Sequence, residues 1–290
     1  MQGNGQLSSI VMKLTVLVDN NTLIDRYFSG EPGLSLYIEE GGRSVLFDTG
    51  YSDLFVTNAR KMGIDLLHID AVVLSHGHID HTGGLGPLIR QYTEAEYEGR
   101  QYFSPEFIAH PDVLLTRTRG NFRELGSQIA EEKLSRHGRI AFTRTPVWLT
   151  ENLVFLGEIQ RRFGFEAVDP RAAIVTESGE EADALRDDTA LACRTDEGLV
   201  IITGCSHAGI CSIIEQAKDI CGDDRIVDVI GGFHLYRATE EHLAGTVEYF
   251  RTLGPDAVHA CHCTGLRAQI ALADAVPIQE TGVGLMLEYG

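Results

Sequence analysis

Long apolar runs are missing from this 290-residue sequence: no window approaches the ~20 consecutive apolar residues a membrane helix needs. Positive charge is also scarce, with 24 Lys and Arg against 42 Asp and Glu and a formal net charge of −18. A phosphate backbone or an anionic membrane repels such a surface, which argues against a general nucleic-acid binder and a membrane-surface protein. A small phosphate-bearing substrate stays open, because bound cations reverse the field locally. Six cysteines in a chain of this size make no secreted disulfide framework, and a reducing cytoplasm is the expected setting. No basic-then-apolar leader is seen; residues 1–12 read as a tail or a vector-derived remnant. Solenoid repeats are absent as well. What remains is an ordinary globular composition, 43% apolar and 23% charged, in a chain long enough to bury a substantial core.

Strand signals come first, at 14–18, 34–38 and 44–47, the last pair joined by the turn Glu40-Gly41-Gly42-Arg43. Helical spacing over 52–62 stops at Gly63, and 71–74 reads as a short buried strand. Residues 92–171 are the least regular, with helices expected around 111–116 and 123–136 and short strands near Ile140 and Val154. Between 100 and 171 the chain carries 11 Lys and Arg against 9 Asp and Glu, a local positive excess. A solvated mixed surface explains that excess; a cover that attracts an anion is the alternative. From Ala190 onward strands and helices alternate: a hairpin (190–193 and 199–203), helix 210–220, strand 226–230, helix 240–253, strand 257–260, helix 266–275 and strand 284–287. That order implies a layered α/β architecture. The two ends are alike in kind, so residues 13–290 are expected to form one domain of two half-sandwiches, with 92–171 an insert covering the active site.

The chemistry concentrates in His76-x-His78-x-Asp80-His81, just past the strand 71–74. Alternate residues of a loop leaving a strand can point the same way. His76 and His78 can thus converge on one cation while Asp80 and His81 turn toward a second. Imidazole and carboxylate suit zinc, and also manganese or iron. A purely structural role would leave these polar side chains each needing a separate buried partner, which is costly. Two more histidines occupy comparable places at strand ends, where ligand sites of open α/β sheets gather. They are His207, in Gly204-Cys205-Ser206-His207-Ala208-Gly209, and His262, in Cys261-His262-Cys263-Thr264-Gly265. Alone, either would read as structural; beside the first cluster, both read as ligands. His234, in Gly231-Gly232-Phe233-His234, reads as a proton donor and substrate contact just outside the coordination sphere. Asp187-Asp188 offers a bridging carboxylate or an ordinary acidic turn. Cys205 is open as a thiolate ligand, and Cys261 and Cys263 read as packing. Asp48, ending its strand, reads as the orienting partner of a ligand histidine. His68, His110, His137, His242 and His259 have no supporting cluster and read as structural.

Ser75-His76-Gly77-His78-Ile79-Asp80-His81-Thr82-Gly83-Gly84, preceded by Leu46-Phe47-Asp48-Thr49-Gly50, resembles the signature of the metallo-β-lactamase superfamily. Together with 204–209, 231–235 and 262–265, it is similar to a narrower subgroup. That subgroup is named after the 7,8-dihydropterin-6-methyl-4-(β-D-ribofuranosyl)aminobenzene 5′-phosphate synthase of methanopterin biosynthesis, and the likeness runs from about Lys13 to Glu288. The resemblance implies a four-layer αββα sandwich with two divalent metal ions at one edge, zinc first among the candidates. It implies hydrolysis, or a related transfer, by hydroxide generated between them. Carried over, His76, His78 and His207 hold the first metal, and Asp80, His81 and His262 the second. Asp80 also orients the hydroxide, and His234 protonates the leaving group or stabilises developing charge. The superfamily's middle histidine would fall near 186–188, where none exists, and its bridging aspartate at Cys205. The bridge is therefore Asp188, Cys205 or water alone. The expected substrate is a small anionic ester, a phosphate or pterin-related compound, with a homo-oligomer left open. A lactonase or thioesterase of the same fold is the alternative enzyme; a non-catalytic metal-binding sensor is the alternative class.

Overall fold

The computed structural model describes residues 12–166 and 171–290. In chain order its strands are β1 (Met12–Val18), β2 (Ser35–Glu40), β3 (Arg43–Phe47), β4 (Ala71–Val73), β5 (Glu106–Ala109), β6 (Arg117–Arg119), β7 (Arg139–Phe142) and β8 (Val147–Trp148). They continue as β9 (Leu153–Phe155), β10 (Ala172–Thr176), β11 (Gly179–Ala182), β12 (Ala190–Arg194), β13 (Leu199–Thr203), β14 (Ile226–Gly232), β15 (Ala257–Cys261) and β16 (Met286–Tyr289). The helices are α1 (Leu54–Met62), α2 (Ile79–Thr82), α3 (Leu85–Tyr97), α4 (Glu131–Leu134), α5 (Ile210–Cys221), α6 (Glu240–Leu253) and α7 (Leu266–Ala273). The tail expected over 1–12 lies outside the described residues except for Met12, which is buried and opens β1.

A seven-stranded sheet runs β16-β1-β2-β3-β4-β5-β7, and a six-stranded sheet runs β15-β14-β13-β12-β9-β8. Each changes from antiparallel to parallel partway across, at β3 in the first and at β13 in the second. The parallel strands are buried on both faces and read as continuous apolar runs, as Leu199–Thr203 shows. Adjacent residues of β13 accordingly enter different cores. Val200 and Ile202 meet Phe47, Val73 and Ile108 between the sheets, while Ile201 packs against Ile213, Ile214 and Phe250 of α5 and α6. On the other side, Leu46, Val72 and Phe107 pack against Phe55 of α1 and Leu88 and Tyr92 of α3. The layers are helix, sheet, sheet, helix: the expected αββα sandwich.

Several local expectations need correction. Residues 111–116 form turns instead of a helix, because Arg117 takes their carbonyls: its guanidinium donates to the backbone oxygens of Asp112, Val113 and Leu115. Of 123–136, only Glu131–Leu134 is helical. Helix α3 adds to those expectations; it carries Gly86 and Pro87 in its first turn, where proline costs little because its N–H is unneeded there. The exposed hairpin β10–β11 lacks the apolar alternation that would reveal it. Residues 92–171 are not simply an insert over the site, because β5 and β7 extend the first sheet and β8 and β9 the second. Strand β6 stands apart, pairing with β10 in a separate three-stranded sheet.

Candidate metal centre

The strands β3, β4, β13, β14 and β15 deliver, just past their ends, Asp48, His76, Cys205 to His207, His234 and His262 in turn. Four of these exits turn through a left-handed residue that is not glycine: Asp48 (φ 57°), Ser206 (60°), His234 (51°) and His262 (49°). Such backbone costs on the order of 1–3 kcal/mol per residue and tends to collect at functional sites. Gly77 is required by close approach, since a Cβ there would overlap the Val113 carbonyl and the Arg117 guanidinium. Gly84 likewise lets the chain pass against the Thr49 carbonyl, and Thr49 pins the loop by donating N–H (2.8 Å) and Oγ–H (2.9 Å) to the His81 carbonyl.

Two donor sets result. His78 Nδ1 lies 3.0 Å from His76 Nε2 and 3.1 Å from His207 Nε2. His262 Nε2 lies 3.2 Å from His81 Nε2 and 3.5 Å from an Asp80 carboxylate oxygen. Cys205 Sγ is 3.2 Å from His81 Nε2 and shares a compact group with His76 and His81. His76 and His81 are wholly buried; His78, Asp80, His207 and His262 are partly open.

Proton positions follow from the acceptors outside these sets. Asp48 Oδ2 accepts from His81 Nδ1 at 2.6 Å and from Ser75 Oγ at 2.6 Å, while its Oδ1 accepts the Ser75 backbone N–H at 2.7 Å. Having donated to the carboxylate, Ser75 Oγ accepts from His76 Nδ1 at 2.9 Å. Asn20 Oδ1 accepts from His262 Nδ1 at 2.9 Å. The Nε2 lone pairs of His76, His81 and His262 are thereby turned inward, toward one another. The one proton His78 Nδ1 could carry satisfies only one of its two neighbours. A nitrogen-rich set of inward lone pairs beside Asp80 fits divalent cations, zinc among them.

The electrostatics agree with that fit. Burial and the neighbouring imidazoles hold His76 and His207 well below the usual histidine range, and burial takes His78 to about 3. These rings are neutral at pH 7, as ligation demands. Burial also works against a charged His81, yet the Asp48 carboxylate raises it to about 9, so this ring must release its Nε2 proton as a cation binds. Burial opposes ionisation of Asp80, but His81 and His262 keep it below the ordinary carboxylate range.

The structure thus brings together His76, His78 and His207, and separately Asp80, His81 and His262. His234 stacks on His207 with ring centroids 4.1 Å apart, and its buried Nδ1 has no hydrogen-bond partner. Asp188 belongs to neither set. Its Oδ2 accepts the Ala208 N–H at 2.9 Å, and burial raises its carboxyl to about 7. Cys263, expected to be packing, instead groups with Cys205 and His234; Cys261 packs between the sheets.

Other participants escape a sequence reading. Buried Arg117 pairs with Asp183 (3.2 Å) and Asp187 (2.7 Å), and Asp187 accepts the Gly77 N–H at 2.7 Å, which clamps the His76–His78 loop. Glu166 caps α5 by accepting the N–H groups of Cys211 and Ser212, and Arg161 donates to the His207 carbonyl. Asp19, next to Asn20, accepts the His262 N–H at 2.9 Å. Asp19 and Asn20 carried a signal: they follow β1 as Asp48 follows β3.

Residues 29–219 match the model of the metallo-β-lactamase superfamily. The chain belongs to this superfamily. It is similar to the 7,8-dihydropterin-6-methyl-4-(β-D-ribofuranosyl)-aminobenzene-5′-phosphate synthase of Methanocaldococcus jannaschii, 30% identical over 268 residues that cover 89% of each chain. A solved metal-dependent hydrolase of the β-lactamase superfamily superposes with a TM-score of 0.81 at 31% identity, covering 96% of this chain and 99% of that one. A metallo-β-lactamase fold protein from Bacillus subtilis, 15% identical, shares the fold with a TM-score of 0.57 over 97% of this chain and all of its own. The superfamily consists mostly of metal-dependent hydrolases, although the relative from M. jannaschii is named a synthase. Among the described residues, no helix is long and apolar enough to cross a membrane.

Proposed function

We propose that this metallo-β-lactamase superfamily member is a metal-dependent hydrolase, or a closely related transferase, acting on a small anionic ester such as a phosphate or pterin-related compound. The observation that carries the reading is the convergence of His76, His78 and His207 beside Asp80, His81 and His262, with three imidazole protons committed to acceptors outside. His76, His78 and His207 would hold one divalent cation and Asp80, His81 and His262 another, zinc being favoured by the nitrogen-rich set. When bound, two such cations acidify a water and polarise the oxygen of the group under attack. The protein's own part is orientation. Asp80, kept ionised, accepts a hydrogen bond from the attacking water. His234, above His207 and unpartnered at Nδ1, delivers a proton to the leaving group.

The anionic substrate rests on the field of the cations and on the phosphate in the name of the similar synthase. The local positive excess of residues 100–171 adds little, because Arg117, Arg139, Arg144 and Arg162 are all engaged with acidic side chains. The test is turnover of bis(p-nitrophenyl) phosphate, p-nitrophenyl phosphate and p-nitrophenyl butyrate before chelation, after it and after zinc is restored. Phosphoester turnover that vanishes on chelation and returns with zinc is expected. Faster turnover of the neutral ester would replace the phosphate reading with a lactonase or thioesterase. Metal uptake without any turnover would leave a sensor.

A further inference from the structure

We propose that Cys205 is a thiolate ligand shared between the two metal subsites, taking the position between them that needs a second negative charge. The proposal rests on the two-cation reading above. Three observations carry it.

The first is placement. Cys205 Sγ forms a group with His76 Nε2 or Nδ1 and a ring nitrogen of His81, all within 4.8 Å of one another, and lies 3.2 Å from His81 Nε2. His76 belongs to one donor set and His81 to the other, so the sulfur lies within 4.8 Å of a ring nitrogen from each. The side chain is 3% exposed, and its turn is fixed by the next residue, whose Oγ bonds the Thr203 hydroxyl (2.8 Å) and the Gly232 carbonyl (2.7 Å).

The second is charge. Two divalent cations bring four positive charges into a largely buried site, and the five neutral imidazoles offset none of them. Asp80 supplies one negative charge. Uncompensated buried charge is expensive, and a further anionic ligand lowers the cost. Among the described residues, the donor groups contain no second carboxylate.

The third is elimination. Asp188, the other candidate for a bridge, keeps a buried, unpartnered Oδ1, but its Oδ2 holds the Ala208 N–H and neither oxygen joins a donor group. Cys263 groups with Cys205 and His234 but with no member of either donor set; its Sγ accepts the His234 backbone N–H at 3.2 Å and donates to the Cys205 carbonyl at 3.6 Å. It is a positioning residue for the Cys205 turn. When the cation binds, the Cys205 S–H bond breaks, the electron pair stays on sulfur and the proton leaves to solvent. Sulfur also biases the centre toward zinc, cobalt or iron and against magnesium or manganese.

X-ray absorption at the zinc edge of the fully loaded wild-type protein tests this without reference to activity. A shared thiolate gives about one sulfur per zinc at about 2.3 Å, whereas a terminal one gives about half a sulfur per zinc. Cobalt-loaded protein supplies the second readout, a near-ultraviolet thiolate-to-cobalt charge-transfer band. The band is expected in wild type and in Cys263→Ser, and its loss in Cys205→Ser and Cys205→Asp, with Cys205→Asp still binding two cobalt ions. Two bound cobalt ions without the band, half a sulfur per zinc, or a band that follows Cys263 would each overturn the shared thiolate while leaving the two-cation reading intact. Failure to bind cobalt or zinc at all would overturn both.

Discussion

Replacing Asp48 by Asn changes one atom type at the base of the metal centre, and the surrounding bonds dictate which way the amide must face. Asp48 Oδ1 accepts a backbone N–H from Ser75, a donor that cannot reverse, so the amide oxygen has to take that position. The NH2 group then replaces Oδ2 and points at His81 Nδ1 and Ser75 Oγ, where the wild type has an acceptor. His81 must shift its proton to Nε2, the nitrogen that faces Asp80 and His262. The effect reaches His76 only through Ser75, and so is smaller there. Orienting partners of metal ligands are typically worth 10–100-fold in affinity, or about 1.4–2.7 kcal/mol. Asp48→Asn should therefore weaken the subsite of Asp80, His81 and His262 by about 10–100-fold and the other subsite by less. Titration with zinc in competition with a chromophoric chelator resolves the two steps, and the variant should retain one tight zinc where the wild type retains two. Equal affinities for both ions in variant and wild type would refute the proton assignment.

Other perturbations separate catalysis, clamping and protonation. His234→Asn should cut turnover by about 10²–10⁴-fold with zinc content unchanged, read by steady-state kinetics and elemental analysis on one sample; loss of zinc would make His234 a ligand instead. Arg117→Met should destabilise the fold by about 3–5 kcal/mol, because Asp183 and Asp187 are left buried without their cation. Urea unfolding measures this, and a change below 1 kcal/mol would contradict the clamp. In metal-free protein, His78 titrates at about 3 when folded and near 6.5 when unfolded. A base depressed by folding stabilises the fold above its unfolded pKa and loses that stability as pH falls toward the folded one. Stability should fall by up to about 5 kcal/mol between pH 6.5 and 3 from this group. His81, held charged up to about 9, adds no slope in that window. Thermal unfolding of metal-free wild type and His78→Asn checks this, and parallel pH profiles would count against the buried neutral ring.

What the sequence exposed was local. The His76–His81 motif crowds metal-capable side chains into six positions, and the alternating strands and helices after Ala190 carry their periodicity in full view. Asp48 was legible because it ends a strand just ahead of the motif. Arg117 and Glu166 were not, because their partners lie 66 and 45 residues away and no local pattern marks such a meeting. A local competition misled the reading of 111–116, where a helical pattern yields to the guanidinium of Arg117, which takes carbonyls two to five residues back. The site's framework also hid in irregular sequence: β5 went unread, and the strand expected near Ile140, β7, gave no sign that it widens a sheet.

Anomalous scattering from crystals grown with zinc, recorded on both sides of the zinc edge, tests the central claim most directly. Two peaks per chain are expected, one among His76, His78 and His207 and one among Asp80, His81 and His262. A single peak, or zinc bound only away from these side chains, would contradict it.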